Sequence, residues 1–402
     1  MVNVAILGFG TVGSGVAEVL TTNSSLIDQR VGDQVRLKYI LDVRDFNDSP
    51  YKDCFVKEFS VIENDPEVDV VVETIGGATV ALDFTTRALK AGKSVVSSNK
   101  ELVATHGYDL LQLARENGVS YLFEASVGGG IPILRPLTAC LAANELNQVT
   151  GILNGTTNYI LTKMFTYGDS FEDSLADAQE RGYAERNPDA DILGTDAARK
   201  IVILTALITG QLISPNDISV EGITKIRKED VIAAEKIGAA IKLLGRCVIN
   251  GENIKVMVAP FMVQKSEALA TVSGVYNAVE VIGEPIGNVM FYGQGAGAGA
   301  TASAVVGDLM QIMRSGINTA TPVFEKCAYS KSALDSFASQ NYFAVSGISE
   351  SDVRHIFGNV QIIDTAGELT FVSEKLDEAK IASLLCALSS RGGALNSRIR
   401  LL

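Results

Sequence analysis

The stretch of this chain best equipped to move a proton is Asn187-Pro188-Asp189-Ala190-Asp191-Ile192-Leu193-Gly194-Thr195-Asp196-Ala197-Ala198-Arg199-Lys200. Asp196 and Lys200 are four residues apart, so on a helix they share a face with the acid N-terminal to the base, the favourable order. Thr195 is placed to be the N-cap. The apolar run Ile201-Val202-Ile203-Leu204 follows at once, and burial there favours a neutral amine over an ammonium. A lysine so placed can serve as general acid or base, while the neighbouring carboxylates can hold the ammonium group of a ligand. The same Asp-x-x-x-Lys spacing also describes an ordinary surface ion pair. The two histidines, His106 and His355, lie far apart in the chain, so lysine and carboxylates must carry any acid–base chemistry.

The elements upstream supply a partner for that chemistry. Val2 to Leu7 reads as a buried strand, and it runs into Gly8-Phe9-Gly10-Thr11-Val12-Gly13 and the helical pattern Val16, Val19, Leu20. Strand, GxGxxG and helix together describe a dinucleotide site, with glycines for the tight turn and the helix N-terminus for the pyrophosphate. A second strand, Val35 to Val43, ends in Asp42-Val43-Arg44-Asp45, where the adenosine ribose is read. An acid there suits the hydroxyls of NAD, whereas Arg44 suits the 2′-phosphate of NADP; the reading leans to NADP with use of both left open. Asp69 to Gly77 is an apolar strand ending in a glycine pair that could pass beneath a cofactor, or an ordinary strand-to-helix turn. Lys93 to Lys100 ends in a polar pair at a strand's carboxyl end, the side where open α/β sheets place ligands, which makes Lys100 a site candidate.

With 402 residues the chain suggests two or three domains. A net charge of -13 would repel phosphate backbones and anionic headgroups, which argues against nucleic acid and membrane partners. Its opening is too short for a signal segment, and no stretch of about 18 apolar residues follows elsewhere. Five scattered cysteines without CxxC spacing read as reduced thiols in a cytoplasmic protein, with neither a disulfide framework nor a zinc site.

Seven ordered motifs make the chain recognisable: GFGTVG at 8–13, VVETIGG at 71–77, SSNKELVATHG at 97–107, FEASVGGGIPI at 123–133, LNGTTNYI at 153–160, GYAERNPDADILGTDAARK at 182–200 and GQGAGAGATASAVVGD at 293–308. Over most of residues 1–320 the chain resembles homoserine dehydrogenase, a family that reversibly reduces aspartate 4-semialdehyde to homoserine with NAD(P)H on the way to threonine and methionine. The resemblance implies Lys200 as proton donor, Lys100 as a second lysine at the reacting oxygen, and Asp196 beside them. It implies Glu185, Asp191, Asp196, Gly155, Thr156 and Tyr183 for the substrate. For the cofactor it implies Gly8, Gly10, Thr11, Val12, Gly13, Arg44, Gly76, Lys100, Gly182 and Gly297. It also implies a monovalent cation, sodium or potassium, held by Glu124, Val127, Gly129 and Ile131. From the residues alone, Glu124 could equally be a loop glutamate capping backbone amides. Many members carry proline where this chain has Ala300, which bears on the detail of that loop.

The expected fold is α/β: a Rossmann-type dinucleotide-binding domain at 1–132 completed by 300–325, and an α+β substrate and dimerisation domain at 133–299. Helices are expected at Ala197 to Ile208 and Val231 to Leu244, with a strand-like run at Ile254 to Ala259. Residues 337–402 read as βαββαβ and look like an ACT-type regulatory domain, although Gly347-Ile348-Ser349-Glu350 lacks that domain's usual Asp-x-Pro-Gly loop, so threonine feedback is doubtful and a structural or dimerising role stands beside it. The resemblance implies a homodimer, with a higher oligomer open through the tail. The rival readings are a sugar or inositol dehydrogenase, which usually shows Glu-Lys-Pro where this chain has Asn99-Lys100-Glu101, and a non-catalytic NAD(P)H-sensing regulator, which has no need of Lys200 and its acids.

Overall fold

The computed structural model describes residues 1–315, 322–365 and 367–402; residues 316–321, part of the expected 300–325 return, lie outside them. The chain forms two compact units. The first comprises Met1–Glu145, Val202–Ser214 and Gly293–Cys327, and the second Leu146–Ile201, Pro215–Tyr292 and Ala328–Leu402.

In the first unit, six strands form a parallel sheet: β1 (Val2–Leu7), β2 (Val35–Leu41), β3 (Phe55–Val56), β4 (Val68–Glu73), β5 (Ser94–Ser97) and β6 (Tyr121–Leu122), in the order β3-β2-β1-β4-β5-β6. Val4 to Leu7, Val71, Val72, Val95 and Val96 are fully buried, as expected of central parallel strands covered on both faces. The order reverses between β1 and β4, the switch point at which such sheets open a crevice beyond their carboxyl ends. Helix Ala298–Ser315 packs Ala302, Val305, Val306 and Leu309 into the same core as Val16 and Leu20 of helix Thr11–Thr22. That close approach depends on Gly15, where a Cβ would lie 3.0 Å from the Ala298 carbonyl oxygen.

The second unit is built on a long antiparallel hairpin, Ala239–Asn250 with Asn253–Gln264, paired without interruption from Ala239 opposite Gln264 to Asn250 opposite Asn253. This corrects the helix expected at Val231 to Leu244. The helix is Lys228–Lys236; Gly238, at φ +70°, turns the chain out of it, and the following alanines and leucines become strand. A twelve-residue partner with burial on the pleat outweighs their helical propensity. The sheet also takes in Glu145–Ile152, Tyr276–Glu284 and Gly287–Gln294.

The tail runs strand Asn341–Ser346, helix Glu350–Phe357, strands Val360–Ile363 and Leu369–Ser373, helix Glu378–Ser390 and strand Ala394–Leu401, so the last strand starts four residues before the expected Arg398. Its four strands lie in the order last, first, third, second, each pair antiparallel, over a core of Phe343, Val353, Phe357, Phe371, Ile381 and Leu388. The last strand also pairs in parallel with Asn253–Gln264, Phe261 opposite Arg400 and Met262 opposite Leu401. The tail therefore continues the sheet of the second unit.

Candidate active site

Lys200 and its acids come together in the second unit, on helix Thr195–Thr209. The helix enters the core through Ile201 to Leu204, all fully buried, which pulls the preceding turn inward. Lys200 Nζ donates to Asp196 Oδ2 at 2.7 Å and to the Leu153 carbonyl at 2.7 Å. Both residues are buried, Lys200 9% and Asp196 4% exposed, so the pair is not the surface ion pair that spacing alone allowed. Thr195 is not its N-cap: the Gly194 carbonyl accepts the first helical N–H, from Ala198, and the Thr195 hydroxyl donates back to Ala190. Gly194 takes φ +84° and lies so close to Val220 and Val258 that a side chain would crowd them. The turn packed there demands glycine at the cap.

Asn154, absent from the expected residues, organises the cluster. As N-cap of helix Gly155–Tyr167, its Oδ1 accepts from Thr157 N at 2.8 Å. Its Nδ2 donates to Asp191 Oδ1 at 2.6 Å and Asp196 Oδ2 at 2.9 Å. One buried amide thus ties a helix start to two carboxylates. An asparagine just before Gly-Thr-Thr was the available sequence signal. Gly155 is held to glycine by the Val275 carbonyl, 2.6 Å from where a Cβ would be. The Thr156 hydroxyl donates to the Tyr183 carbonyl at 2.6 Å, fixing the 182–185 turn to the same helix. Glu185 stands exposed on that turn, and among the described residues its carboxylate makes no hydrogen bond or ion pair, leaving it open to a cationic group. Gly182, at φ +74°, turns that segment with open space beside it.

The dinucleotide loop lies in the first unit. Gly8 takes φ +91°, and a Cβ on Gly13 would lie 1.9 Å from the Gly8 carbonyl oxygen, so the turn closes only with glycine there. Gly10 precedes helix Thr11–Thr22, and Thr11, Val12 and Gly13 form its first turn. Asp42 at the tip of β2 accepts from Phe9 N at 2.8 Å and from the Arg44 backbone and guanidinium at 2.9 to 3.0 Å. The two residues expected to read the ribose are thus paired with each other, and the guanidinium holds Asp42 well below the usual carboxylate range. Lys57, which sequence reasoning missed, reaches the same tip, donating to the Val43 carbonyl at 3.1 Å and pairing with Asp45 at 2.8 Å. A cleft of about 330 Å³ lies here, bounded by Gly8, Asp42, Phe59, Ile75 and Val80. Gly76 and Gly77 border open space, as does Gly297 at φ +124°. Lys100 is the first residue of helix Lys100–Glu116, whose N-cap Asn99 accepts from Leu102 N and donates to the carbonyls of Ile75 and Gly77.

At the Glu124 loop, the carboxylate accepts three backbone N–H groups, from Ile133 at 2.7 Å, Leu134 at 2.9 Å and Arg135 at 2.7 Å. Of the two readings of this glutamate, amide capping is the geometry present. Gly128 and Gly129 turn this loop at positive φ, and a Cβ at Gly129 would meet the Gly295 carbonyl at 2.5 Å. Below it, Asp308 accepts from Glu124 N and Arg135, and burial beside the Glu124 charge pushes it up to about 7.

Comparison with known proteins agrees with this architecture. The family model for the homoserine dehydrogenase NAD-binding domain matches residues 8–124, and that for homoserine dehydrogenase matches residues 132–310. Homoserine dehydrogenase of Bacillus subtilis (strain 168) is 40% identical over 350 residues, covering 84% of this chain and 80% of the relative. That of Synechocystis is 40% identical over 363 residues, covering 88% and 81%. The crystal structure of a homoserine dehydrogenase from Thiobacillus denitrificans superposes with a TM-score of 0.91 at 31% identity, covering 100% of this chain and 98% of that one. A hyperthermophilic archaeal homoserine dehydrogenase mutant in complex with NADPH superposes with a TM-score of 0.67 at 28% identity, over 79% of this chain and 99% of that one. The readings as a sugar or inositol dehydrogenase and as a non-catalytic sensor give way to these matches. Two family models in tandem, over a Rossmann-type sheet and a buried lysine among carboxylates, place the chain in the homoserine dehydrogenase family of NAD(P)-dependent oxidoreductases.

Proposed function

We propose that this enzyme interconverts L-aspartate 4-semialdehyde and L-homoserine with Lys200 as the proton donor, and that the buried contact of Lys200 Nζ with Asp196 and the Leu153 carbonyl is what equips it for that step. A reduced nicotinamide, when bound, supplies the hydride. Lys200 gives its proton to the alkoxide as it forms and takes it back in the oxidising direction. Asp196 keeps the amine aimed, and Lys100 contributes a second positive charge at the same oxygen. Glu185 and Asp191 hold the substrate ammonium, with Gly155, Thr156 and Tyr183 shaping the wall. Gly8, Gly10, Thr11, Val12, Gly13, Gly76, Gly182 and Gly297 accommodate the cofactor, and Arg44, with Lys57 beside it, favours NADP over NAD. The carbonyls of the Glu124 to Ile131 loop take sodium or potassium, which their hard oxygens suit. Residues 337–402 act as an ACT-like module, regulatory or dimerising, in a cytoplasmic homodimer.

The test is Lys200→Ala. Nicotinamide absorbance with homoserine and NADP⁺, and with the semialdehyde and NADPH, is expected to show no turnover, while fluorescence titration shows NADPH bound nearly as in the wild type. Full activity in the variant would remove the proton donor.

A further inference from the structure

We propose that Glu73 is a positioning residue for this dehydrogenase: from the end of β4 its buried carboxylate holds the Ile75–Gly77 turn and the start of the Lys100 helix in one arrangement, and cofactor affinity depends on that hold. None of the expected site residues includes it, and its place in the sequence, the last residue of an apolar strand, reads as core. It is fully buried. A carboxylate there is costly, and an apolar residue would serve stability better.

Its partners say what it does. Glu73 Oε1 accepts from Ile75 N at 2.7 Å, and Oε2 accepts from the Ser97 hydroxyl at 2.6 Å. Ser97 Oγ in turn accepts from Asn99 N at 3.0 Å, and Asn99 Nδ2 donates to the Ile75 carbonyl at 3.0 Å. The four residues close a hydrogen-bonded circuit across the carboxyl ends of β4 and β5. The same Asn99 amide reaches the Gly77 carbonyl at 2.7 Å, and its Oδ1 caps the helix that begins at Lys100. The circuit therefore joins a glycine turn beside the cleft to a lysine at the other strand end, on the side where open α/β sheets carry their ligands. Removing the carboxylate strands a part-buried N–H and a buried hydroxyl, and releases both segments.

The groups around it leave Glu73 to set the charge of the circuit. β1 places Leu7 opposite it, β5 contributes Ser97, and β6 contributes Tyr121, whose hydroxyl is buried without a hydrogen-bond partner and pushed up by burial and by Glu73. The helix start adds Asn99 and then the Lys100 ammonium. Burial pushes Glu73 up to about 7, so the circuit changes charge near neutrality. A neutral carboxyl is the weaker acceptor, and protonation loosens the hold on Ile75 and Ser97. For stability the sign is opposite: a raised carboxyl is best tolerated protonated, so its contribution is full below its ordinary pKa and is lost as pH rises through 7.

The inference rests on the cofactor lying over these strand ends, and the experiment separates the two. Full-length wild type, Glu73→Gln and Glu73→Ala are compared for NADPH affinity by fluorescence titration, and for kcat and NADPH KM between roughly pH 5.5 and 9. Wild type is expected to lose kcat/KM for NADPH as pH falls below about 7. Glu73→Ala is expected to raise the NADPH KM about tenfold with a smaller change in kcat. Glu73→Gln, neutral at every pH but still able to accept from Ile75 N, is expected to give an NADPH KM between those of wild type and Glu73→Ala with no acid limb, and to lack the fall in melting temperature that wild type shows between about pH 5 and 7. An unchanged acid limb in Glu73→Gln would overturn the proposal, and so would a wild-type KM in a folded Glu73→Ala; if the alanine variant does not fold, the glutamine profile decides. Absence of NADPH binding to the wild type would instead remove the cofactor placement, and the proposal with it.

Discussion

Asn154 shows how much one buried side chain can be asked to do. Its amide has four hydrogen-bonding positions, and the structure uses its oxygen on Thr157 and its nitrogen on two carboxylates. Asn154→Ala is expected to lose the N-cap, about 1 kcal/mol in urea unfolding. It should also lose roughly a hundredfold in kcat/KM for homoserine, because Asp191 and Asp196 lose their common donor. A stability loss with unchanged kcat/KM would reduce Asn154 to a cap. At the cofactor tip, Asp42 is depressed by Arg44, so the stability of that pair is present above the ordinary carboxylate pKa and vanishes as pH falls through the lower folded value. Arg44 is 59% exposed, and solvent screening keeps the contribution small. Arg44→Ala is therefore expected to cost little stability at pH 7 and progressively less as pH falls below the ordinary carboxylate pKa, while raising the KM for NADPH more than that for NADH by about tenfold. Equal effects on the two cofactors would exclude Arg44 from reading the 2′-phosphate.

At the scale of elements, the glycines decide where the chain can turn. Gly13→Ala sets a Cβ 1.9 Å from the Gly8 carbonyl, which the turn can relieve only by opening. The expected result is loss of NADPH binding by at least about tenfold, with overall secondary structure retained by circular dichroism; undiminished binding would mean that the loop tolerates a wider turn. Gly238 has the opposite lesson. The residues after it are good helix formers, and a window of propensity runs straight through them. What makes them a strand is a partner, Asn253–Gln264, that lies beyond a two-residue turn at Gly251 and Glu252. Local preference is worth a few tenths of a kcal/mol per residue, and a complete ladder with burial outweighs it.

For the molecule as a whole, the tail is part of a larger sheet. Arg400 pairs with Glu221 at 2.9 Å and with Glu378 at 2.8 Å, and Arg227 pairs with Glu368 at 2.8 Å while its partner Asp230 receives the Tyr342 hydroxyl. Deleting residues 328–402 would uncover the edge of Asn253–Gln264 and take the Tyr342 hydroxyl from Asp230, a fully buried carboxylate. The truncated chain is expected to aggregate on expression, since an open apolar edge recruits other strands. A soluble, active truncated enzyme would show that the tail is dispensable. Among the described residues no helix is long and apolar enough to cross a membrane.

The sequence by itself determined the parallel sheet, the glycine loop and the Asp196–Lys200 face, because each depends on local patterning: continuous apolar runs, a fixed glycine spacing, and a four-residue separation on a helix. It also carried the tail's βαββαβ order, strand by strand. It could not show that Lys200 is buried, that Asn154 ties Asp191 to Asp196, that Glu124 spends its carboxylate on three amides, or that Glu73 closes a circuit with Ser97 and Asn99. Those facts join residues tens of positions apart, and a side chain's charge, partners and exposure depend on which distant backbone groups the fold brings within hydrogen-bonding reach. Only the tertiary structure decided them.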